Sequence, residues 1–430
     1  MLQRCGVAVR PLVILLTASV LLAGAGCDDE TGQSASDETV INGPAVEAGV
    51  EDVFSLSAAN AAFAFDLYRE MQGNPGNLFL SPYSVSAALA MTLAGARGET
   101  AAQMSDALHF DVGSDRLHQT FTELATALSL RSKLPDQIEG EGFAFHVVNA
   151  MWPQSGHPLL DAFVEALTVT YAAGLHELDF ATNPEAARQT INGWVSERTK
   201  ERIENLIPQG AIDTATRLVL TNAIYFNAPW REPFDPESTV VEPFTRLDGE
   251  TLDVAMMHKT ESLPYVKWDD GLAFEIPYNG NELAMVVLVP DTGRFEAFDA
   301  SLTAERFAGI VGSFASQRIA LGMPQFEFDY ASSLVSPLMA LGVTDAFDGA
   351  RADFSGITGQ RDLAISDVLH KAFVSVDEAG TEAAAATAIL FRATSMPAEP
   401  LEVTVDRPFL FVIRDRPTSS ILFIGRVLEP

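Results

Sequence analysis

Two periodicities divide this 430-residue chain, and their order restricts the fold more than any other feature. The first half carries helix-period patterns. From Leu56 to Met71, Ala59, Ala62, Phe63, Phe65, Leu67 and Tyr68 recur at near-helical spacing. Ser84 to Leu93 is rich in Ala and Leu, with Pro82 upstream as a start signal. Leu117 to Leu130 and Pro158 to Tyr171 also read as helices. Asn183-Pro184 opens another, running through Ile191 and Trp194 toward Arg202. The second half carries apolar, β-branched runs at 218–226, 284–289, 318–321, 326–328, 371–376, 401–405, 409–413 and 420–424. Helices first and strands later predict an α+β fold, not alternating βαβ units. No Pro/Gly-rich linker or repeat interrupts residues 51–430, so they are expected to form one domain.

Residues 1–26 read as a signal segment. Arg4 and Arg10 flank a short N-terminal region, and an apolar run follows from Pro11 to Gly26, short for a spanning helix. Cys27 comes after Gly24-Ala25-Gly26, an order similar to a bacterial lipoprotein signal with Cys27 as the lipidated residue. Gly24 stands where such signals carry a large aliphatic, and cleavage after Ala23-Gly24-Ala25 is the alternative. Both routes export the protein, to the cell envelope or the extracellular space. Residues 27–50 read as an acidic flexible tether, with six acids and no base from Asp28 onward.

The other cysteine, Cys5, lies in the signal, so residues 51–430 have no disulfide or Cys-based metal site and must be stabilised by packing. There are 58 acids against 27 bases, a net charge of −31. Such a surface repels nucleic acid and favours solubility. No Gly-x-Ser-x-Gly elbow, Walker loop, His-Glu-x-x-His helix or Cys-x-x-Cys is present, and no two of the seven histidines sit three or four residues apart. Nothing points to an enzyme, a metal or a cofactor.

One segment breaks the local pattern. Asp377 to Ala388 follows a strand yet is Ala-rich, and alanine favours helices over strands. A short helix linking two strands is one reading. The other is a loop able to enter a sheet. Alternate residues from Thr381 are Ala383, Ala385, Thr387, Ile389 and Phe391, small first and then larger, none charged. No proline falls before Pro397, so every backbone N–H up to it can pair.

At this point the residues resemble the serpin family, over about 51–430. Asn77 to Ser86 is similar to the family's early Ser-Pro motif, and Leu93 to Thr100 to the turn after it. Thr221 to Trp230 is similar to the strand leading to the family's tryptophan, with Asn227-Ala228 where Lys-Gly is usual, expected to be a surface-type change. Asp377 to Thr387 resembles the hinge of inhibitory serpins. Asp406 to Arg414 and Ile421 to Val427 resemble the C-terminal signature.

The resemblance implies three β-sheets, about nine helices and an exposed reactive-centre loop. It implies a monomeric serine protease inhibitor that acts as a suicide substrate, its loop cleaved and then inserted into the central sheet to trap the acyl-enzyme. The hinge would be Glu378, Ala379, Gly380, Thr381, Glu382, Ala383, Ala384, Ala385, Ala386 and Thr387. Family spacing from Gly380 puts the reactive bond at Thr394–Ser395, with Arg392 and Met396 as alternatives. Thr394 suits an elastase-like or subtilisin-like protease. Ser81, Ser84, Asn222 and His370 match a polar cluster under the sheet where strands part, which also fits a satisfied buried network. Trp230 matches the residue where the loop enters, or is plain core. A non-inhibitory serpin-fold binding or chaperone protein is the alternative; such relatives commonly carry bulky, charged or proline residues in the hinge.

Overall fold

The computed structural model describes residues 50–111, 114–131, 144–156, 158–171, 174–381 and 399–430. Ten α-helices and fifteen strands lie among them. The early helices are α1 (Val50–Met71), α2 (Pro82–Leu93), α3 (Gly98–Ala107), α4 (Ser114–Leu130), α5 (Asp161–Tyr171) and α6 (Pro184–Arg198). Four short helices come later, α7 (Phe295–Ala300), α8 (Ala304–Gly312), α9 (Val335–Ala340) and α10 (Ser355–Thr358).

The helices start and stop for local reasons. Glu51 and Asp52 lie in the first turn of α1, where carboxylates favour the positive end of the helix dipole. In α2, Pro82 takes the first position, and the Ser81 hydroxyl caps it by accepting from Ser84 N–H. The α6 pattern was expected to run toward Arg202, but the helix ends at Arg198. Lys200 and Glu201 adopt left-handed backbone (φ 50° and 63°), which an α-helix cannot continue through.

The first half also holds three strands that the helical pattern hides. These are β1 (Leu78–Leu80), β2 (Ala144–Pro153) and β3 (Gly174–Leu175). The remaining strands are β4 (Leu218–Pro229), β5 (Val240–Thr245), β6 (Thr251–Trp268), β7 (Gly271–Pro277), β8 (Leu283–Pro290), β9 (Ala315–Pro324), β10 (Phe326–Ser333), β11 (Asp367–Val376), β12 (Gly380–Thr381), β13 (Leu401–Thr404), β14 (Phe409–Asp415) and β15 (Ile421–Val427).

One sheet runs β10-β11-β12-β4-β2-β3. The rest form a continuous path, β1-β15-β14-β8-β7-β6-β9-β13, with β5 also on β6. That path is two sheets joined through β6. Met256 to Tyr265 of β6 pairs with β9, and Tyr265 to Trp268 with β7. This makes three sheets, within a mixed α+β architecture.

The first sheet is packed on both faces. Every residue of α2 is buried, and α2 touches β4, β2 and β15, so it lies between two sheets. Phe79 stacks on Phe423 at 5.0 Å and Phe411 at 5.6 Å in the main core. A second apolar cluster joins α6 to the sheet. Ile191 and Val195 of α6 pack with Trp152 of β2, Val219 and Ala223 of β4 and Leu369 of β11.

Candidate functional site

The centre of the first sheet has an unusual join. Its other long pairs are antiparallel, but β11 and β4 run parallel, from Asp367 opposite Val219 up to Ala372 opposite Ile224. Above that the two strands separate, and β12 sits between them. Thr381 pairs with Val376 of β11 and with Ala228 of β4, and Gly380 with Pro229. Both pairings are antiparallel. Parallel ladders are slightly weaker per residue than antiparallel ones. A strand continuing β12 therefore exchanges one parallel ladder for two antiparallel ones.

A tight turn brings the chain back into this seam. The Asp377 carboxylate accepts from Ala379 N–H at 2.8 Å and Gly380 N–H at 3.1 Å, and Asp377 N–H donates to Gly380 C=O at 3.0 Å. Burial pushes the Asp377 carboxyl up, against the pull of the Gly380 and Ala379 donors. Glu378 fastens the turn outward. One carboxylate oxygen accepts from the Thr239 hydroxyl and the other from Gln325 Nε2 at 2.7 Å, and its C=O accepts from Phe234 N–H at 2.8 Å. Gly380 sits so close to β4 that an added Cβ would stand 2.2 Å from Ala228 O and 2.6 Å from Pro229 Cα.

Trp230 walls the top of the seam. Its backbone N–H donates to Ala379 C=O at 2.9 Å and its indole N–H to Asp377 C=O at 3.0 Å. The ring stacks on Tyr278 at 4.6 Å and 9°. Tyr278 OH and Thr381 Oγ1 are hydrogen-bonded at 2.7 Å, and burial pushes the phenol pKa up, so it stays protonated. Trp230 is thus a buried core residue that also holds the turn at the top of the seam. Lys259 lies beneath, over the Phe234 ring at 4.5 Å, donating to Glu232 C=O at 2.8 Å.

Lower in the seam, Ser81, Ser84, Asn222 and His370 meet in one closed network with Asn149. His370 of β11 and Asn222 of β4 are register partners, and Nδ1 of His370 lies 2.6 Å from Asn222 Oδ1. Ser81 N–H can only donate, and it points to His370 Nε2 at 3.2 Å. Nε2 is therefore the bare nitrogen, and Nδ1 carries the proton to Asn222. Asn222 Nδ2 donates to Asn149 Oδ1 at 2.7 Å and to Ser84 Oγ, and Asn149 Nδ2 donates to Ser84 C=O at 3.2 Å. Ser81 Oγ donates to Leu422 C=O at 2.9 Å. Complete burial lowers the His370 pKa to about 3, so the ring is neutral.

Several expected site residues lie outside the described residues. These are Glu382, Ala383, Ala384, Ala385, Ala386 and Thr387 of the hinge, the bond Thr394–Ser395, Arg392, Met396 and Cys27. One reading is corrected. Asn227 and Ala228 are not surface residues: each is only 1% exposed, and Ala228 is the β4 partner of Thr381. Sequence reasoning missed Asn149, Tyr278, Gln325 and Thr239. An Asn within the apolar run Val147 to Trp152 was a visible mark of a polar group set against the core. The other three are brought to the hinge only by the sheets.

The serpin (serine protease inhibitor) family model matches residues 58–430. The leukocyte elastase inhibitor of Sus scrofa is 41% identical, over 87% of this chain and 99% of that protein. An uncharacterized serpin-like protein of Thermococcus kodakarensis is 40% identical, over 87% of this chain and 85% of its own. Uncleaved ovalbumin superposes with a TM-score of 0.78 at 27% identity, covering 87% of this chain and 100% of its own. The native thermophilic serpin Tengpin superposes with a TM-score of 0.78 at 29% identity, over 88% and 95%.

Proposed function

The chain belongs to the serpin family, and on that premise we propose that it is not an enzyme but a serine protease inhibitor. In this reading it is cut within residues 382–398 and traps its attacker by drawing the cut segment into the seam between β11 and β4. The observation that carries this is the seat of Gly380 and Thr381, two residues of strand already antiparallel to both walls. Continuing their register puts residue 390 opposite Asp367 of β11 and opposite Val219 of β4. Those two are themselves partners, so one added strand suits both walls down to the end of the direct pairing. Ala383, Ala385, Thr387 and Ile389 then share the inward face of Thr381. Residue 387 falls opposite both His370 and Asn222, where the Thr387 hydroxyl takes over from the side-chain bond that insertion breaks.

The chemistry follows from that movement. The protease serine attacks the loop carbonyl, the peptide amine leaves, and an acyl ester joins the two proteins. Insertion carries the ester-linked protease away and distorts its oxyanion hole before water can hydrolyse the ester. Inhibition is a race between insertion and hydrolysis. We place the cut at Thr394–Ser395, with Arg392 and Met396 as the other candidates. A small residue at the cut and the likeness to a leukocyte elastase inhibitor both support an elastase-like target.

The test is incubation with elastase, subtilisin and trypsin followed by denaturing electrophoresis. The expected result is a detergent-stable complex, and a released peptide beginning at Ser395 by mass spectrometry. Cleavage by all three without any complex refutes inhibition, and another N-terminus refutes the placement. Thr381→Arg should be cleaved without forming complex, since it puts a charge against Tyr278. We also propose export with a lipid on Cys27; unchanged membrane association of Cys27→Ala refutes the lipid.

A further inference from the structure

We propose that Asn279 is a site of spontaneous covalent modification, deamidation through a cyclic imide, and that one product unseats Gly380 and Thr381. The chemistry needs only the fold and does not rest on the inhibitory reading. The chain has three Asn-Gly pairs, of which Asn42-Gly43 lies outside the described residues. Glycine after asparagine lets the main-chain nitrogen reach the side-chain carbonyl, since no β-carbon stands in the way. By sequence Asn192-Gly193 and Asn279-Gly280 are equivalent; their surroundings separate them.

Asn192 lies in α6, 8% exposed, with both ends of its amide occupied. Its Nδ2 donates to Ile207 C=O at 2.9 Å, and its Oδ1 accepts from Ile207 N–H at 2.8 Å. Gly193 N–H is held in the helix ladder. Asn279 lies instead in the turn between β7 and β8, closed by Asn281 N–H donating to Tyr278 C=O at 2.9 Å. Gly280 and Asn281 are exposed, and Gly280 has φ 85°. Gly280 N–H donates to Asn279 Oδ1 at 3.0 Å, so the attacking nitrogen already lies against the carboxamide. Asn279 Nδ2 has no hydrogen-bond partner among the described residues, which leaves it free to depart.

Two guanidiniums stand beside this turn. Arg231 Nη1 is 3.2 Å and Arg416 Nη1 2.8 Å from Asn281 Oδ1, and Arg416 also donates to Asn281 C=O at 3.0 Å. Their carboxylate partners are Glu261 and Glu275, and Glu282, the next residue of the turn, pairs with Arg131. Positive charge there favours loss of the Gly280 amide proton. The anionic nitrogen attacks Asn279 Cγ, the Cγ–Nδ2 bond breaks, and Nδ2 takes a proton from water and leaves as ammonia. Water then opens the cyclic imide at either carbonyl. One product is aspartate. The other is isoaspartate, whose main chain runs through the side chain and is one carbon longer. In sum a water is consumed and an ammonia released, with no change of oxidation state.

The longer main chain would fall between two contacts that fix the hinge. Asn279 N–H donates to Pro229 C=O at 2.8 Å, and Tyr278 stacks on Trp230 and bonds Thr381 Oγ1. Gly380 pairs with that same Pro229, and Thr381 with Ala228. Isoaspartate at 279 therefore shifts Tyr278 away from Trp230 and Thr381, whereas aspartate leaves the main chain as it was.

The test holds the full chain in mildly alkaline buffer, folded or in urea, and follows both asparagines by tryptic mass spectrometry. Trypsin puts them in separate peptides, 189–198 and 268–294. In the folded protein we expect conversion at Asn279 at least about ten-fold faster than at Asn192, which must first leave its helix. In urea the difference should vanish. Tryptophan emission of the folded protein should move to the red in step with isoaspartate. Asn279→Gln, whose longer side chain closes a ring far more slowly, should keep its mass and its emission. Freshly prepared Asn279→Asp should keep the parent emission, since it brings the charge without the added carbon. Equal rates at the two sites in the folded protein, or no conversion at Asn279 while urea converts both, overturns the site. Conversion at Asn279 with unchanged emission overturns its link to the hinge seat.

Discussion

His370 is the side chain on which the two parting strands depend most directly. Its neutral ring accepts from Ser81 N–H and donates to Asn222, so one imidazole ties β11 to β4 and to the cap of α2. Burial without a compensating charge holds its pKa at about 3, against an ordinary value near 6.5. The fold thus favours the deprotonated ring. Its contribution is complete above pH 6.5 and is lost as pH falls toward 3, at about 1.4 kcal/mol per pH unit. Urea midpoints between pH 7.5 and 5 should fall in the parent protein and fall less in His370→Gln. Equal pH dependence in both refutes this role. The same protonation removes the Nε2 acceptor of Ser81, so acid should also ease the seam apart.

At the scale of elements, the decisive feature is that β12 exists. Two residues of strand are held by the Asp377 turn, the Glu378 clamp and the absence of a side chain at 380. Gly380→Ala puts a methyl group into the β4 backbone, which cannot yield as a flexible side chain can. Expulsion of β12 should follow, and with it loss of the Trp230 hydrogen bond to Asp377. The tryptophan emission should shift to the red without any protease present. On the proposed inhibitory function, the molar ratio needed per protease should also rise several-fold, because insertion would start later in the race with hydrolysis. Unchanged emission and ratio contradict the seat. The α6 layer bears on the same seam, since its cluster includes Leu369 of β11 and Val219 of β4. Lys371 of β11 also donates to Glu204 C=O in the segment after α6, at 3.1 Å.

Across the whole molecule, charge and long-range closure matter most. A net charge of −31 means that carboxylates repel one another over much of the surface. Salt shortens the screening length from about 30 Å at 0.01 M to about 3 Å at 1 M. The thermal midpoint should therefore rise by roughly 2–5 °C over that range, and a fall with salt refutes the argument. Closure is carried by few groups. Arg426 of β15 binds Asp299 of α7 at 3.2 Å and the C=O of Gln72 and Gly76 beyond α1, joining segments some 350 residues apart in sequence.

Local patterns alone determined most of the early helices and late strands, the mixed α+β class and the capacity of Thr381 to Phe391 to alternate in a sheet. These follow from side-chain period and from turn residues such as Pro82 and Asn183-Pro184, which act within a few residues of themselves. The polar set of Ser81, Ser84, Asn222 and His370 was also legible, but only through resemblance to a family. Tertiary structure decided the rest. Sequence period cannot say that β11 and β4 lie side by side in parallel, because strand pairing is a contact between distant segments. It cannot say that Asn227 and Ala228 are buried, since that depends on what the hinge covers. Nor can it place Tyr278, Gln325 and Thr239 around Glu378 and Thr381. Those contacts arise where three sheets converge, and there Gly380 and Thr381 form a two-residue strand between β11 and β4.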